Sequence, residues 1–225
     1  MTSSAVWRRL SAVVLMTMWA VAGWGVFAQQ PPAARPPLLF KEAWKLPAHE
    51  GEANDDNRRL TPAVVTNPQI ALTLYGPDSR AVAAWEHEGR VDLWTGMAAS
   101  PVAVTMRDRN NYLDLTGLAR VRWIVRTSSL HALYPVLKLA DGTLVAGDRR
   151  VSTDGQFIQV ELAYGGMRWF RLDPDRVVTT SEVRNPDLSR VDEIGFADLA
   201  PGGGHGQAGW TNLSTVEVYA WAVPR

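Results

Sequence analysis

NYLDLTGLARVRWIVRTSSLHALYPVLKLADGTLVAGD, at residues 111–148, holds three strand patterns in succession. Between residues 120 and 127, apolar and polar side chains alternate, which is the two-residue period of a strand with one buried face. A second pattern follows at 133–139, and Asp141-Gly142 is a strong hairpin-turn signal before the third. This stretch predicts antiparallel β-sheet.

The alternation also predicts which side chains are buried. We expect the core side chains to be Val121, Trp123, Val125, Leu133, Leu137 and Leu139. We expect the opposite sides of these strands, with the strand pattern at 156–163, to form one polar face made of Arg122, Arg126, Tyr134, Lys138, Phe157, Gln159 and Glu161. An error of one residue in the phase would exchange the two faces.

Further strand patterns lie at residues 38–44, 69–76, 91–96, 101–107, 168–173, 191–199 and 214–223. Residues 80–90 predict a short helix or an irregular loop, and residues 179–190 predict a loop. The strand at 168–173 is expected beside the one at 156–163. About ten short strands without a long helix predict an all-β, antiparallel two-sheet sandwich, and a jelly roll within that class.

Composition limits the class of protein. The chain has 225 residues, which suits one all-β domain. It has no cysteine, which excludes disulfides, thiolate catalysis and cysteine-bound zinc. Basic and acidic residues balance at 23 each, without a basic block, so no nucleic acid is expected as a partner.

The N-terminus predicts export. Residues 1–28 carry an arginine pair and a long apolar run that ends at a cleavable-looking site, so we expect a signal peptide. The alternative is an uncleaved anchor, since the run approaches the length that spans a bilayer. Only then would the protein contact a membrane. Residues 29–37 predict a Pro-rich tether and residues 38–225 a single β-sandwich domain, in a secreted or periplasmic protein.

Several segments together resemble a known class of domain. LDLTGLARVRWIVRT at 113–127, NPDLSRVDEIGFADLAPGGG at 185–204 and the closing VEVYA at 216–220 resemble galactose-binding-like jelly rolls, including the complex I intermediate-associated protein 30 type. LYGP, WTG, DLTGLARVRW, LKLADGT, RVDEIGF and VEVY are similar to an uncharacterised family of secreted bacterial proteins, from about residue 38 to the end. The resemblance implies a sandwich whose relatives often bind glycans and sometimes hold a structural calcium. It implies no catalytic residues.

The polar face is a candidate binding surface. A sugar ring has apolar faces that stack on aromatic side chains and hydroxyl edges that form hydrogen bonds. The alternative is a solvated sheet whose charges form cross-strand ion pairs. Trp94 and Trp210, like Trp85, lie in or near predicted loops, where an indole can serve as a sugar platform or cap the sandwich. His205 and Trp210 belong to a glycine-rich loop at 201–210, at the expected rim of the site.

Two acidic segments bear on metal binding and catalysis. Residues 52–57 offer several oxygen ligands, but their spacing favours a solvated loop over a calcium site. Residues 86–88, with His131 or His205, could hold a metal or supply an acid and a base, yet they lack zinc spacing, and surface charge is the simpler interpretation. No nucleophile motif is present. We therefore predict no catalytic residue, no metal ligand and no cofactor, apart from the structural calcium that the resemblance allows.

The sequence thus predicts an exported, non-catalytic β-sandwich that binds a carbohydrate or another cell-envelope ligand, with a glycan or an envelope polymer as its partner. Two alternatives stay open. One is a glycan-active hydrolase or lyase that uses carboxylates such as Glu86, Glu161 or Glu217, and the other is a structural envelope protein without a ligand site. The candidate ligand-binding residues are Arg122, Arg126, Tyr134, Lys138, Gln159, Glu161, Trp94, Trp210 and His205.

Overall fold

A computed structural model describes residues 34–128, 130–202 and 208–225. The predicted signal peptide, the first part of the Pro-rich tether and His205 lie outside these described residues. In the described part of the chain, the helical elements are two short 3-10 turns, η1 (Pro62–Val64) and η2 (Ser79–Ala81). No helix in that part is both long enough and apolar enough to cross a bilayer.

The described residues are otherwise organised as β-strands joined by turns and loops. In chain order the strands are β1 (Leu38–Ala43), β2 (Ile70–Tyr75), β3 (Ala83–His87), β4 (Arg90–Trp94), β5 (Val102–Asp108), β6 (Asn111–Asp114), β7 (Arg120–Thr127), β8 (Leu133–Leu139), β9 (Leu144–Gly147), β10 (Ile158–Ala163), β11 (Trp169–Leu172), β12 (Thr179–Val183), β13 (Val191–Asp198), β14 (Thr211–Tyr219) and β15 (Trp221–Pro224).

These strands form two antiparallel sheets. Sheet A has the order β10-β7-β14-β4-β3, and β1 also pairs with β14. Sheet B has the order β12-β11-β9-β8-β13-β5-β2, with β6 paired to β13 and β15 paired to β6. The chain passes repeatedly from one sheet to the other, for example from β7 to β8 and from β13 to β14, as in a jelly roll. The all-β, antiparallel two-sheet sandwich expected from the sequence is confirmed.

The core lies between the two sheets. The six side chains predicted for it are all buried: Val121, Trp123, Val125, Leu133, Leu137 and Leu139. Gly195 of β13 explains how closely the central strands of sheet B approach, because a Cβ at this position would lie 2.0 Å from the carbonyl oxygen of Val104 on β5. Only a residue without a side chain fits there.

The prediction of one polar face across the strands at 120–127 and 133–139 is wrong. β7 belongs to sheet A and β8 to sheet B, so their polar sides face away from each other on opposite sides of the sandwich. The connection between them passes through buried His131 and Ala132. A period of two residues shows which side chains of a strand are buried. It does not show to which sheet the strand belongs, because strands of both sheets have this period.

Three further expectations are corrected by the strand pairing. The predicted short helix or irregular loop at 80–90 is limited to the end of η2 at residues 80–81, since residues 83–90 lie in the hairpin of β3 and β4. The neighbouring buried residues Ala83 and Ala84 interrupt the alternation that would have indicated a strand. β11 pairs with β9 and β12, not with β10. β12 lies in the predicted loop at 179–190, where an edge strand with polar residues on both sides shows no hydrophobic period.

Candidate functional site

One end of the outer face of sheet A, the face directed away from sheet B, combines aromatic rings with polar side chains. We call this surface the aromatic face and define it by Arg58, Trp85, His87, Asp92, Trp94, Arg126, Phe157, Trp210 and Asn212. Three of these residues lie side by side on adjacent strands, because Asn212 of β14 is the register partner of both Trp94 on β4 and Arg126 on β7. The face is thus built across the centre of the sheet.

A bulge in β14 brings Asn212 to this surface. The pairing of β14 with β7 shifts register between Leu213 and Thr215, so one extra residue interrupts the alternation. Leu213 remains in the core, while Asn212 lies on the same side as Thr215 and Glu217. The bulge therefore turns a polar side chain toward the aromatic face instead of the core.

Arg126 holds two aromatic rings in place. Its Cζ atom lies 4.9 Å from the ring centroid of Phe157 and 4.7 Å from that of Trp210. Its Nη1 atom is 3.4 Å from Oε1 of Glu88. A guanidinium this close to two ring centroids gains cation–π stabilisation from each ring. Phe157 and Trp210 are consequently fixed as half-buried rings before any ligand arrives.

Below the rings lies a fully buried carboxylate, Asp92. It accepts a hydrogen bond from Nδ1 of His87 at 2.9 Å and another from Nδ2 of Asn212. The β3–β4 hairpin sets this geometry, because both central residues of its two-residue turn, Glu88 and Gly89, have positive φ angles of 52° and 71°. Such a turn matches the strand twist and fixes the register.

The aromatic face also concentrates buried polar atoms without a hydrogen-bond partner among the described residues. On this face they are Nε and Nη1 of Arg58, Nε1 of Trp85, Nε of Arg126 and Oδ1 of Asn212, and elsewhere they belong to His49, Tyr164 and Trp169. The Arg58 guanidinium lies 5.5 Å from the Trp85 ring centroid. Buried polar groups normally have partners, so this concentration distinguishes the aromatic face from the rest of the described residues.

The other half of the same sheet face is charged. Arg122 is 3.1 Å from Oε2 of Glu161 and 3.2 Å from Oε2 of Glu217, and its Nη1 atom donates to the Tyr219 hydroxyl at 3.0 Å. The hydrogen bond to Glu161 raises the pKa of Arg122. Here the geometry is that of the cross-strand ion pairs that the sequence left as an alternative. Gln159 of β10 is exposed between the two halves.

The remaining predicted site residues on β8 lie on the opposite side of the molecule. Tyr134 and Lys138 face outward from sheet B. Nζ of Lys138 is 3.0 Å from Oε1 of buried Glu193, to which the Tyr75 hydroxyl donates at 2.9 Å. Burial, together with the charge of Glu193, raises the pKa of Tyr75. Tyr75 and Lys138 border a separate cleft of about 640 Å³ between the turn at 142–143 and the loop after β11.

His131 does not join residues 86–88, as the sequence allowed, and His205 lies outside the described residues. His131 is buried and pairs with Asp198, its Nδ1 lying 2.7 Å from Oδ2, so it does not join His87 on the aromatic face. Among the described residues, no group of three or more His, Asp or Glu side chains could hold a metal ion. In the loop at 52–57, Asn54 accepts hydrogen bonds from the backbone of its own loop.

Of the predicted ligand-binding residues, the structure brings Trp94, Arg126 and Trp210 together. Arg122, Gln159 and Glu161 lie beside them, Tyr134 and Lys138 lie on the other sheet, and His205 lies outside the described residues. Sequence reasoning missed Asp92 and Asn212. The signal for Asp92 was a carboxylate inside the strand pattern at 91–96, whereas the bulge concealed Asn212.

Comparisons with known proteins find neither a matching family model nor a significantly similar curated protein. Solved structures with some similarity include a family 11 carbohydrate-binding module of the cellulosomal cellulase Lic26A-Cel5E of Clostridium thermocellum. The sequence identity is 10%, the match covers 68% of this chain and 85% of the module, and the TM-score is 0.40. The family 11 module from Clostridium thermocellum in complex with a β-1,3-1,4-mixed-linked tetrasaccharide has 8% identity over 75% and 97% of the two chains and a TM-score of 0.41.

An exo-β-agarase has 11% identity over 71% of this chain, which corresponds to 24% of the agarase, and a TM-score of 0.41. Identities and TM-scores this low leave the fold to be argued from the strand pairing described above. The resemblance to the complex I intermediate-associated protein 30 type and to secreted bacterial proteins stays a prediction.

Proposed function

We propose that the protein is an exported, non-catalytic carbohydrate-binding β-sandwich and that the glycan lies on the aromatic face. The observation that carries this proposal is the contact of Arg126 with the half-buried rings of Phe157 and Trp210, beside Trp94 and the exposed polar atoms of His87. The rings suit the apolar faces of a sugar, and the polar atoms suit its hydroxyl groups. Glycans of the cell envelope and glycans outside the cell share this chemistry.

The contacts of Glu217 argue against its use as the general acid of a glycan-active enzyme. Burial acts to raise the pKa of Glu217. The hydrogen bonds from Lys41 and Tyr219 act in the opposite direction and leave this pKa below its ordinary value. Glu161 and Glu217 both contact Arg122. A general acid for glycoside cleavage needs a raised pKa, so a carboxylate kept ionised by cations is poorly suited to that role.

Affinity gel electrophoresis of the full chain tests the proposal, with mixed-linkage β-glucan, agarose and a peptidoglycan-derived polymer as separate probes. We expect at least one polymer to retard the protein. Trp94→Ala and Trp210→Ala should weaken that retardation about tenfold, because a stacked ring contributes roughly 1–2 kcal/mol.

Two aromatic residues outside the site serve as matched controls: Tyr134 on the outer face of sheet B and Trp221 on β15, which is 43% exposed. Tyr134→Ala and Trp221→Ala should leave retardation unchanged. Equal retardation of the site variants and the controls, or no retardation by any polymer, would contradict the proposal. Fractionation of cells that express the full chain tests export separately, since a cytoplasmic protein would contradict that part alone.

A further inference from the structure

Asp92 determines which nitrogen of His87 is available to a ligand. A carboxylate can only accept a hydrogen bond, so Nδ1 of His87, 2.9 Å from Oδ2 of Asp92, carries the proton. In the neutral ring, Nε2 is then the hydrogen-bond acceptor. The His87 side chain is 32% exposed, while that of Asp92 is 0% exposed. The buried carboxylate thus orients a half-exposed imidazole from below.

The same carboxylate orients Asn212. Nδ2 of Asn212 donates to Oδ1 of Asp92 and lies 3.5 Å from Nδ1 of His87, so the two side chains meet above Asp92. Asn212 is fully buried, and its Oδ1 atom has no partner among the described residues. Burying a carboxylate costs several kcal/mol of free energy unless it is well paired. The hydrogen bonds of Asp92 with His87 and Asn212 supply this pairing and also hold both side chains in place.

The second His–Asp pair of the protein has a different arrangement. The side chains of His131 and Asp198 are only 4% and 3% exposed. The His131 ring also forms a hydrogen bond with the backbone of Ala208, so its contacts are closed within the protein. This pair ties segments of the fold together. In contrast, the contacts of His87 involve Nδ1, and its ring is partly open to solvent at the aromatic face.

We propose that Asp92 is a positioning residue that, through His87, makes the aromatic face select sugars by the configuration of a hydroxyl group. This inference rests on the proposed function. Nε2 of the half-exposed His87 ring is the acceptor that a hydroxyl group of a pyranose ring would meet, whereas Asn212 is fully buried and acts through its contacts with Asp92 and His87. Stacking tolerates many sugars, whereas a site built to bind a hydroxyl rejects an analogue that leaves its polar groups unpaired.

The test compares Asp92→Asn with the wild type in the full chain by isothermal titration with cellotetraose and mannotetraose, which have the same linkage positions and differ in the configuration of one hydroxyl per ring. For the wild type we expect the two Kd values to differ at least tenfold. Asp92→Asn should bring the ratio close to one. Trp94→Ala should weaken binding of both sugars and keep the ratio.

Asp198→Asn is the matched control, because it alters the other His–Asp pair, and it should keep the wild-type ratio. The NMR chemical shifts of the ring nitrogens of His87 show which nitrogen carries the proton, and so whether Asp92 fixes the tautomer. These signals are assigned by their loss in His87→Phe. At a pH where the ring is neutral, they should show a proton on Nδ1 in the wild type and a mixture of tautomers in Asp92→Asn. His87→Phe should also bring the ratio of the two Kd values close to one. This second variant tests the proposal even if Asp92→Asn does not fold.

The outcomes separate the two proposals. If the wild type binds both tetrasaccharides and the Kd ratio survives in Asp92→Asn and His87→Phe, this inference is overturned while the aromatic face remains a glycan site. A proton on Nε2 of His87 in the wild type would also overturn it, whatever the affinities. If the wild type binds no saccharide in the titrations or in the gels, the proposed function itself fails.

Discussion

Replacing Asp198 by asparagine should destabilise the sandwich, and by more at pH 6 than at pH 9. Oδ2 of Asp198 is 2.7 Å from Nδ1 of His131 and accepts a hydrogen bond from the Thr95 hydroxyl at 3.0 Å. The hydrogen bond to Asp198 raises the pKa of His131. Because folding raises this pKa, the stabilisation is fully present below the unfolded value of about 6.5 and is lost as the pH rises through the folded value.

The magnitude follows from the burial of both partners. Removing one member of a buried ion pair costs about 3–5 kcal/mol, because the other group is left without its counter-charge. For a domain of this size each kcal/mol lowers Tm by about 2–4 °C, so we expect Asp198→Asn to lower Tm by roughly 6–20 °C at pH 6. Urea denaturation at pH 6 and pH 9 measures the difference in unfolding free energy from the wild type, and this difference should shrink at pH 9.

Asp141→Asn is the matched control. Asp141 accepts a hydrogen bond from the backbone N–H of Thr143 in an exposed turn, which lowers its pKa. The carboxylate is therefore ionised throughout the range from pH 6 to pH 9, and the effect of the control substitution should be small and independent of pH in that range. A loss in Asp198→Asn that is equal at both pH values, or smaller than that of the control, would refute the reasoning.

Three further predictions concern stability. Gly195→Val should prevent folding or lower Tm by more than any other single change proposed here, since its Cβ would overlap the Val104 carbonyl oxygen; a native-like thermal transition by circular dichroism would contradict this. Trp123→Ala, at a position 1% exposed, should cost about 3–5 kcal/mol in urea denaturation, and a loss below about 1 kcal/mol would show that the ring is not part of the core. Tyr75→Phe removes a donor to buried Glu193 and should cost about 1–3 kcal/mol by the same assay, so an unchanged midpoint would contradict the hydrogen bond.

The burial of individual side chains could be predicted from the sequence, but the pairing of strands could not. Alternation placed Trp123 and Leu137 in the core, and both are buried. It could not reveal that β7 and β8 belong to different sheets, because each sheet of a sandwich has one buried side and one outer side. Polar edge strands such as β12 have no hydrophobic period, so the sequence predicts loops there.

The candidate site shows the same limit. Trp94, Arg126 and Trp210 were each singled out by residue type, yet only the pairing of β4, β14 and β7 brings them together. Asn212 could not be placed by counting back from Glu217, since the bulge between them reverses the phase. Asp92 was missed because a carboxylate in a strand pattern usually indicates the solvent side, whereas here it is buried under its partners.

The position of Arg126 between Phe157 and Trp210 has a thermodynamic consequence for ligand binding. A side chain that is free to rotate loses about 0.5–1.5 kcal/mol of conformational entropy when a ligand immobilises it. Phe157 and Trp210 already contact the guanidinium in the folded protein, so part of this loss occurs during folding and not during binding. Affinity at this surface therefore depends on a residue whose main contacts are with the rings of the protein itself.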